Sequence, residues 1–161
     1  MNNVWPLEVI RTKYSLADFE SARDGIYPGP DLEWFAVDSL GYVGAFCSAG
    51  DGLVPSTVFA SWELFNRTLD MVAALPRIGD ADWVVDKPPR FVTWEVWACA
   101  GLFAFDWQPS PGLTSPNLRY GLFAVPTRPL LAADLPEEVA EYISGTRFES
   151  LEFASSRGVS L

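Results

Sequence analysis

The residue types that most often carry chemistry are unevenly supplied in this chain. Histidine is absent from all 161 residues, whereas aspartate and glutamate together number 21. Histidine is the commonest general base, the partner of serine and cysteine nucleophiles, and a usual zinc ligand. Its absence lowers the expectation of catalysis, because acid–base work would fall to carboxylates, lysine or tyrosine.

Three carboxylates lie at or beside the ends of expected strands and helices. These are Asp38, Glu95 and Asp106. Two carboxylates that flank a bond can act as acid and base, as they do in glycoside hydrolases. The sequence does not show that any two of them meet, and Asp38 is most simply the first residue of a turn.

A second acidic group is the run that contains Asp80, Asp82 and Asp86. A calcium loop of the EF-hand type needs glycine at its sixth position and glutamate at its twelfth. Counted from Asp80, these positions hold Val85 and Phe91, so the calcium pattern fails. We expect an exposed loop here, with no metal and no other cofactor.

The segment Cys47–Gly52 is a loop of small residues between an expected strand and an expected helix. Loops in this position can cradle a phosphate. However, neither glycine-rich phosphate motif is present, no lysine follows, and Asp51 would repel an anion. A tight connection is the favoured interpretation.

The two cysteines, Cys47 and Cys99, both lie in apolar sequence and outside any Cys-x-x-Cys pattern. Buried, inert thiols are therefore expected, and the sequence leaves open whether the two cysteines form a disulfide.

The seven tryptophans admit more than one role. Those beside loops suit an interface or a sugar-stacking surface, although partial burial is favoured: Trp5, Trp83 and Trp107 adjoin loops, and Trp62, Trp94 and Trp97 lie on apolar faces.

Composition sets the class of protein. Hydrophobic residues make up 49% of the chain and charged residues 20%, which is typical of one globular domain over residues 1–161. The formal charge of −10 excludes the basic footprint that nucleic acids and anionic membranes require. The start of the sequence lacks the pattern of a signal peptide, and we expect a cytoplasmic protein with no membrane association.

The elements that must position these residues follow from periodicity. The clearest prediction is a β-hairpin, made of strand 34–38, the turn Ser39–Gly41 and strand 42–47. A helix from Ser56 or Thr57 to Leu75 is predicted by one apolar stripe, with a Glu63–Arg67 pair on another face. The remaining expectations are helix 15–23, loop 79–90, helix 91–100, strand 102–107, loop 108–118, strand 119–125, a short helix from Asp134, strand 147–153 and a frayed segment 154–161.

The predicted fold class is α+β, with a mainly antiparallel sheet of about five strands packed with three or four helices. The run EWFAVDSLGYVGAFCSAGDGLVP at 33–55, with Gly101–Trp107 and Tyr120–Pro126, resembles small uncharacterised bacterial α+β proteins. Some domains of this kind are similar to immunity proteins of bacterial toxin–immunity systems, including the SUKH-type group. The resemblance implies a protein-binding role but carries over no inhibitory residue.

The sequence therefore favours a non-enzymatic domain that binds a basic protein. A large negative charge keeps a protein soluble, and it also accelerates association with a basic partner. The residues expected on the contact surface are Glu33, Asp51, Asp80, Asp82 and Trp83. The alternatives are a small-ligand or carbohydrate-binding module and a carboxylate-based hydrolase. The oligomeric state is left open.

Overall fold

A computed structural model describes residues 14–26, 29–87, 93–108 and 119–161. Outside the described residues lie Trp5 and the start of the sequence, the end of the expected loop 79–90, the first two residues of the expected helix 91–100, and all but the first residue of the expected loop 108–118. The described chain confirms the α+β class, with four α-helices and six strands. In chain order these are α1 (Leu16–Arg23), β1 (Glu33–Val37), β2 (Val43–Cys47), α2 (Trp62–Ala73), β3 (Ala81–Trp83), α3 (Thr93–Cys99), β4 (Phe103–Gln108), β5 (Arg119–Pro126), α4 (Glu137–Ser144) and β6 (Gly158–Val159).

The strands form one mixed, curled sheet in the order β1-β2-β4-β5. All pairs are antiparallel except β2 with β4, and α2, β3 and α3 lie in the long connection between these two strands. The outer edge of β5 is shared by two short strands. β3 pairs with its last residues and β6 with Tyr120 and Gly121.

One face of the sheet holds a cluster of aromatic side chains. Trp34 stacks on Phe46 at 4.1 Å between ring centroids, and Phe46 stacks on Phe105 at 4.6 Å. Phe153 covers this row from a 3-10 turn, Phe153–Ser155, and contacts both Phe46 and Phe105. This face is therefore a packed core.

The opposite face of the sheet lies under α3. The indole of Trp97 contacts Phe35 of β1, and the indole of Trp94 contacts Phe123 of β5 at 4.5 Å between ring centroids. Alternation along β1 places Glu33 and Phe35 on this same face. The helix therefore covers the row of residues to which Glu33 belongs.

Helix 15–23 and the hairpin turn Ser39–Gly41 are confirmed. Ser15 and Asp18 form the capping box of α1, and the turn places Gly41 at φ +87°, where a side chain would be strained. The described part of the expected helix 91–100 is helical as α3.

Helix 56–75 is wrong as one continuous element. Residues Ser56–Ala60 form a 3-10 turn, and Ser61 then adopts an extended backbone at φ −155°. Its hydroxyl accepts a hydrogen bond from the Leu64 N–H, so α2 begins at Trp62 and ends at Ala73. The α-helix is therefore capped by Ser61 and not by Ser56 or Thr57. The expected partner of Arg67 is also replaced, because Arg67 binds Glu138 of α4.

Three other expectations near the sheet edges are corrected. The expected loop 79–90 contains β3, which pairs with the edge of β5. The segment 147–153 makes a single bridge to Val37 and then turns, so that Phe148 and Phe153 both reach the aromatic cluster. The segment expected to fray contains β6. In each case contacts from distant sequence decide the conformation.

Candidate functional site

The five residues predicted for a contact surface fall into two groups. Asp80, Asp82 and Trp83 lie together at the start of and along β3, where both aspartates are exposed and Trp83 is half-buried. Asp51 is exposed in the loop after β2, and Glu33, in β1 at the other edge of the sheet, is only 7% exposed. The structure does not combine them into one surface, and Glu33 offers a partner little area.

Basic side chains of the chain itself already lie against the β3 group. Asp80 forms an ion pair with Arg77, and the Lys87 ammonium lies 5.9 Å from the centre of the Trp83 ring. Lys87 also donates a hydrogen bond to Glu95 at 2.8 Å. A basic partner at this edge would compete with these internal contacts.

The described tryptophans are not available as a stacking surface. Trp107, which adjoins a loop in the sequence, is 5% exposed because it packs against Tyr120 at 5.0 Å between ring centroids. The burial favoured from the sequence therefore holds for this residue, and the alternative of an exposed stacking surface does not. Among the described tryptophans, four are buried and two half-buried: Trp34, Trp94, Trp97 and Trp107, then Trp62 and Trp83.

The loop after β2 binds its own chain. The Asp31 carboxylate accepts a hydrogen bond from the Ala49 N–H at 2.8 Å, and the Ser48 carbonyl accepts from the N–H groups of Asp51 and Gly52. A phosphate cradle needs backbone N–H groups that point at the ligand. These N–H groups point at protein acceptors, which supports a tight connection.

A row of polar residues crosses three strands on the face under α3. Glu33 pairs with Cys47, and Cys47 pairs with Asp106. Burial, and secondarily the Asp31 carboxylate, raises the pKa of Asp106 to about 7. Burial, followed by Glu33 and Asp31, also raises the pKa of the Cys47 thiol well above its ordinary value. A half-buried carboxylic acid with a pKa near neutrality can donate or accept a proton.

The other two carboxylates considered for acid–base chemistry do not join this row. Asp38 follows the far end of β1 and is fully buried. Its carboxylate accepts hydrogen bonds from the N–H groups of Leu40, Tyr42 and Phe153 at 2.9–3.0 Å. Asp38 therefore holds the hairpin and the C-terminal segment together, while Glu95 is engaged with Lys87.

Both cysteines are free and buried. Burial raises the pKa of Cys99 as it does that of Cys47, so both remain thiols at neutral pH. This agrees with the expectation of inert side chains. Within the described ranges, no group of three or more cysteine, aspartate or glutamate side chains could hold a metal ion.

A concavity with a volume of about 760 Å³ lies between α4 and the hairpin turn. We call it the α4 groove. Its lining combines one face of α4, an apolar stretch before that helix, which we call the floor, the tip of the hairpin turn, and Arg147. The residues are Glu137, Ala140, Glu141 and Ser144 of α4, Leu131, Ala132, Ala133 and Leu135 of the floor, and Leu40 and Gly41 of the turn.

Backbone hydrogen bonds fix the floor of the α4 groove to the sheet. The N–H of Ala132 donates to the Gly41 carbonyl at 2.9 Å, and the N–H of Val43 donates to the Leu130 carbonyl at 3.1 Å. Val139 and Ile143 hold the far face of α4 in the core. The groove is therefore preformed on rigid elements.

Sequence reasoning missed both the polar row and the α4 groove. The sequence predicts a short helix from Asp134, and within it Glu137, Ala140, Glu141 and Ser144 have the spacing of one helix face. That spacing was the available signal.

No helix within the described ranges has the length and apolar character needed to cross a membrane. Comparison of the chain with protein-family models, with curated proteins and with solved structures finds no match.

Proposed function

We propose that this chain is a non-enzymatic domain that binds a basic protein, with inhibition of that protein, as by an immunity protein, as its role. The observation that carries the proposal is the sign of the exposed charge. In the described parts of the chain, exposed acids outnumber exposed bases roughly two to one. A field of one sign concentrates an oppositely charged partner and speeds its association.

Internal ion pairs reduce the number of bases that would repel a basic partner, although each pair also uses one acid and so leaves the acidic excess unchanged. Four exposed bases are held in this way: Arg23 by Asp24, Arg67 by Glu138, Arg77 by Asp80 and Lys87 by Glu95. A carbohydrate module gains no comparable support, because the described tryptophans that such a module would use are buried or half-buried.

The test is purification of the tagged chain from its native cells at low salt, with identification of bound proteins by mass spectrometry. We expect a stoichiometric basic protein that is released as the salt concentration rises, since screening weakens attraction between exposed charges. A chain recovered without a partner at low salt, or with a partner indifferent to salt, contradicts the proposal.

A carboxylate-based hydrolase is the second candidate, and one observation favours it. Asp106 is half-buried and holds a pKa of about 7, so it could serve as a general acid or base. A hydrolase screen should then detect turnover that Asp106→Asn abolishes. Asp82→Asn, an exposed aspartate on β3, is the matched control. Turnover that survives Asp106→Asn removes this candidate.

A further inference from the structure

The α4 groove exists because small side chains line it. Ala140 and Ser144 face it from α4, and Gly41, Ala132 and Ala133 contribute to the other walls. Small residues allow the backbone of a second element to approach closely. A preformed channel of this kind beside a helix is the geometry that receives an amphipathic helix.

The acids of the groove have a defined spacing. Glu137 and Glu141 are both exposed, and they stand four residues apart on α4, which places their Cβ atoms about 6 Å apart along one face. A helix laid against this face presents side chains with the same spacing. Lysines or arginines four residues apart on the incoming helix would therefore meet both carboxylates.

The apolar part of the groove supplies the remaining contact. Leu40 is 55% exposed at the tip of the hairpin turn, and Leu131 is partly exposed in the floor. Arg147 also lines the groove, but its guanidinium donates a hydrogen bond to the Asp38 carbonyl at 3.1 Å, so the two glutamates still outnumber it as charges facing an occupant. An apolar centre with a polar rim is the usual composition of a protein interface. The occupant must therefore carry leucine-like side chains beside its cations.

We propose that the α4 groove is the docking site for a basic amphipathic helix of the partner, with its cations on Glu137 and Glu141 and its apolar side chains on Leu40 and Leu131. This inference rests on the proposed function and adds the surface and the form of the ligand. It also moves the contact surface away from the β3 group around Asp82.

The probe is a fluorescein-labelled helical peptide of about four turns, with lysines at i and i+4 and leucines at i+3 and i+7. Binding is measured by fluorescence anisotropy at low salt. The double variant Glu137→Gln/Glu141→Gln should weaken binding about tenfold, as expected for the loss of two exposed ion pairs. Leu40→Ser should weaken it about fivefold through lost apolar contact.

The matched control is Asp82→Asn/Asp86→Asn, which removes the same two charges from exposed positions on and after β3. It should change binding by about twofold or less. Circular dichroism confirms that each variant is folded. A peptide with glutamates in place of the lysines should not bind.

Two results with the peptide overturn the inference. One is a peptide that shows no saturable binding, and the other is an equal loss of affinity for the α4 and β3 double variants. Capture of the native partner separates the two proposals. The groove proposal is wrong, and the proposed function is retained, if the partner is still captured by Glu137→Gln/Glu141→Gln but lost with Asp82→Asn/Asp86→Asn. If the chain captures no partner, both proposals are wrong.

Discussion

Asp106 illustrates how a residue's position in a sheet sets its chemistry. It faces α3 from β4, in register with Cys47 and, one strand further, Glu33. Removal from water disfavours the charged form of a carboxyl group, and the nearby Asp31 adds to this effect. The neutral acid is therefore the form that the fold prefers below pH 7.

This preference predicts a specific pH dependence of stability. The carboxyl of Asp106 loses its proton near pH 3.8 in the unfolded chain and near pH 7 in the folded one. As pH rises between these values, only the unfolded state releases the proton, so the free energy of unfolding falls. Above pH 7 this contribution stays at its lower value.

Asp106→Asn should therefore lose less stability than the wild type between about pH 5 and about pH 8. Urea unfolding at both pH values measures the difference. Asp82→Asn is the control, because that exposed carboxylate should leave the pH dependence unchanged. If the free energy of unfolding changes equally with pH in Asp106→Asn and in the wild type, Asp106 ionises normally in the folded protein.

Asp38 is a buried acidic residue whose role is structural, because its side chain accepts hydrogen bonds from three backbone N–H groups. Asp38→Ala leaves the N–H groups of Leu40, Tyr42 and Phe153 without their acceptor. We expect a loss of about 3 kcal/mol or more in the free energy of unfolding. Asp82→Ala should stay within about 0.5 kcal/mol, and a similarly small effect at Asp38 would refute the structural role.

Elements governed by local signals were predictable, and those governed by distant contacts were not. The capping box of α1 and the hairpin around Gly41 follow from residues within a few positions of one another. Apolar and polar residues alternate in the segment 147–153 as in a strand, but its two phenylalanines pack into the aromatic cluster on the sheet. Periodicity contains no information about which distant surface will receive a side chain.

The start of α2 gives a test at this scale. Ser61→Ala removes the hydroxyl that accepts from the Leu64 N–H and should cost about 1 kcal/mol of stability. Ser56→Ala, at the start expected from the sequence, should cost much less, because the 3-10 turn has no side-chain cap. Chemical unfolding of both variants decides between the two starts. Equal losses would favour one continuous helix.

The candidate site joins two parts of the chain that are remote in sequence. The α4 groove combines the hairpin tip at Leu40 with Leu131, the 3-10 turn Ala132–Asp134, Leu135 and the α4 helix that follows them. A single sequence indicates the chemistry of each segment but not their meeting. The acidic surface was predictable from composition, whereas the place where it adjoins an apolar floor required the fold.

The charge of the whole molecule has a thermodynamic consequence. A net charge of −10 makes the compact state repel itself, and added salt screens that repulsion. The melting temperature should therefore rise with sodium chloride at neutral pH. The rise should shrink near the isoelectric point of about 4.3, which serves as the control. A melting temperature that falls with salt at neutral pH would indicate that attractive ion pairs dominate.

The divided outer edge of β5 bears on how the protein stays dispersed at high concentration. β3 and β6 lie along that edge as two short pieces, and the Leu122 N–H donates to the Arg157 carbonyl beside β6. At Gly158, a Cβ atom would lie 2.7 Å from the Tyr120 carbonyl oxygen. A larger residue there would push β6 away and uncover a row of backbone groups, on which a second molecule could add its own strand. The cover that β6 gives to this part of the edge thus requires glycine at position 158.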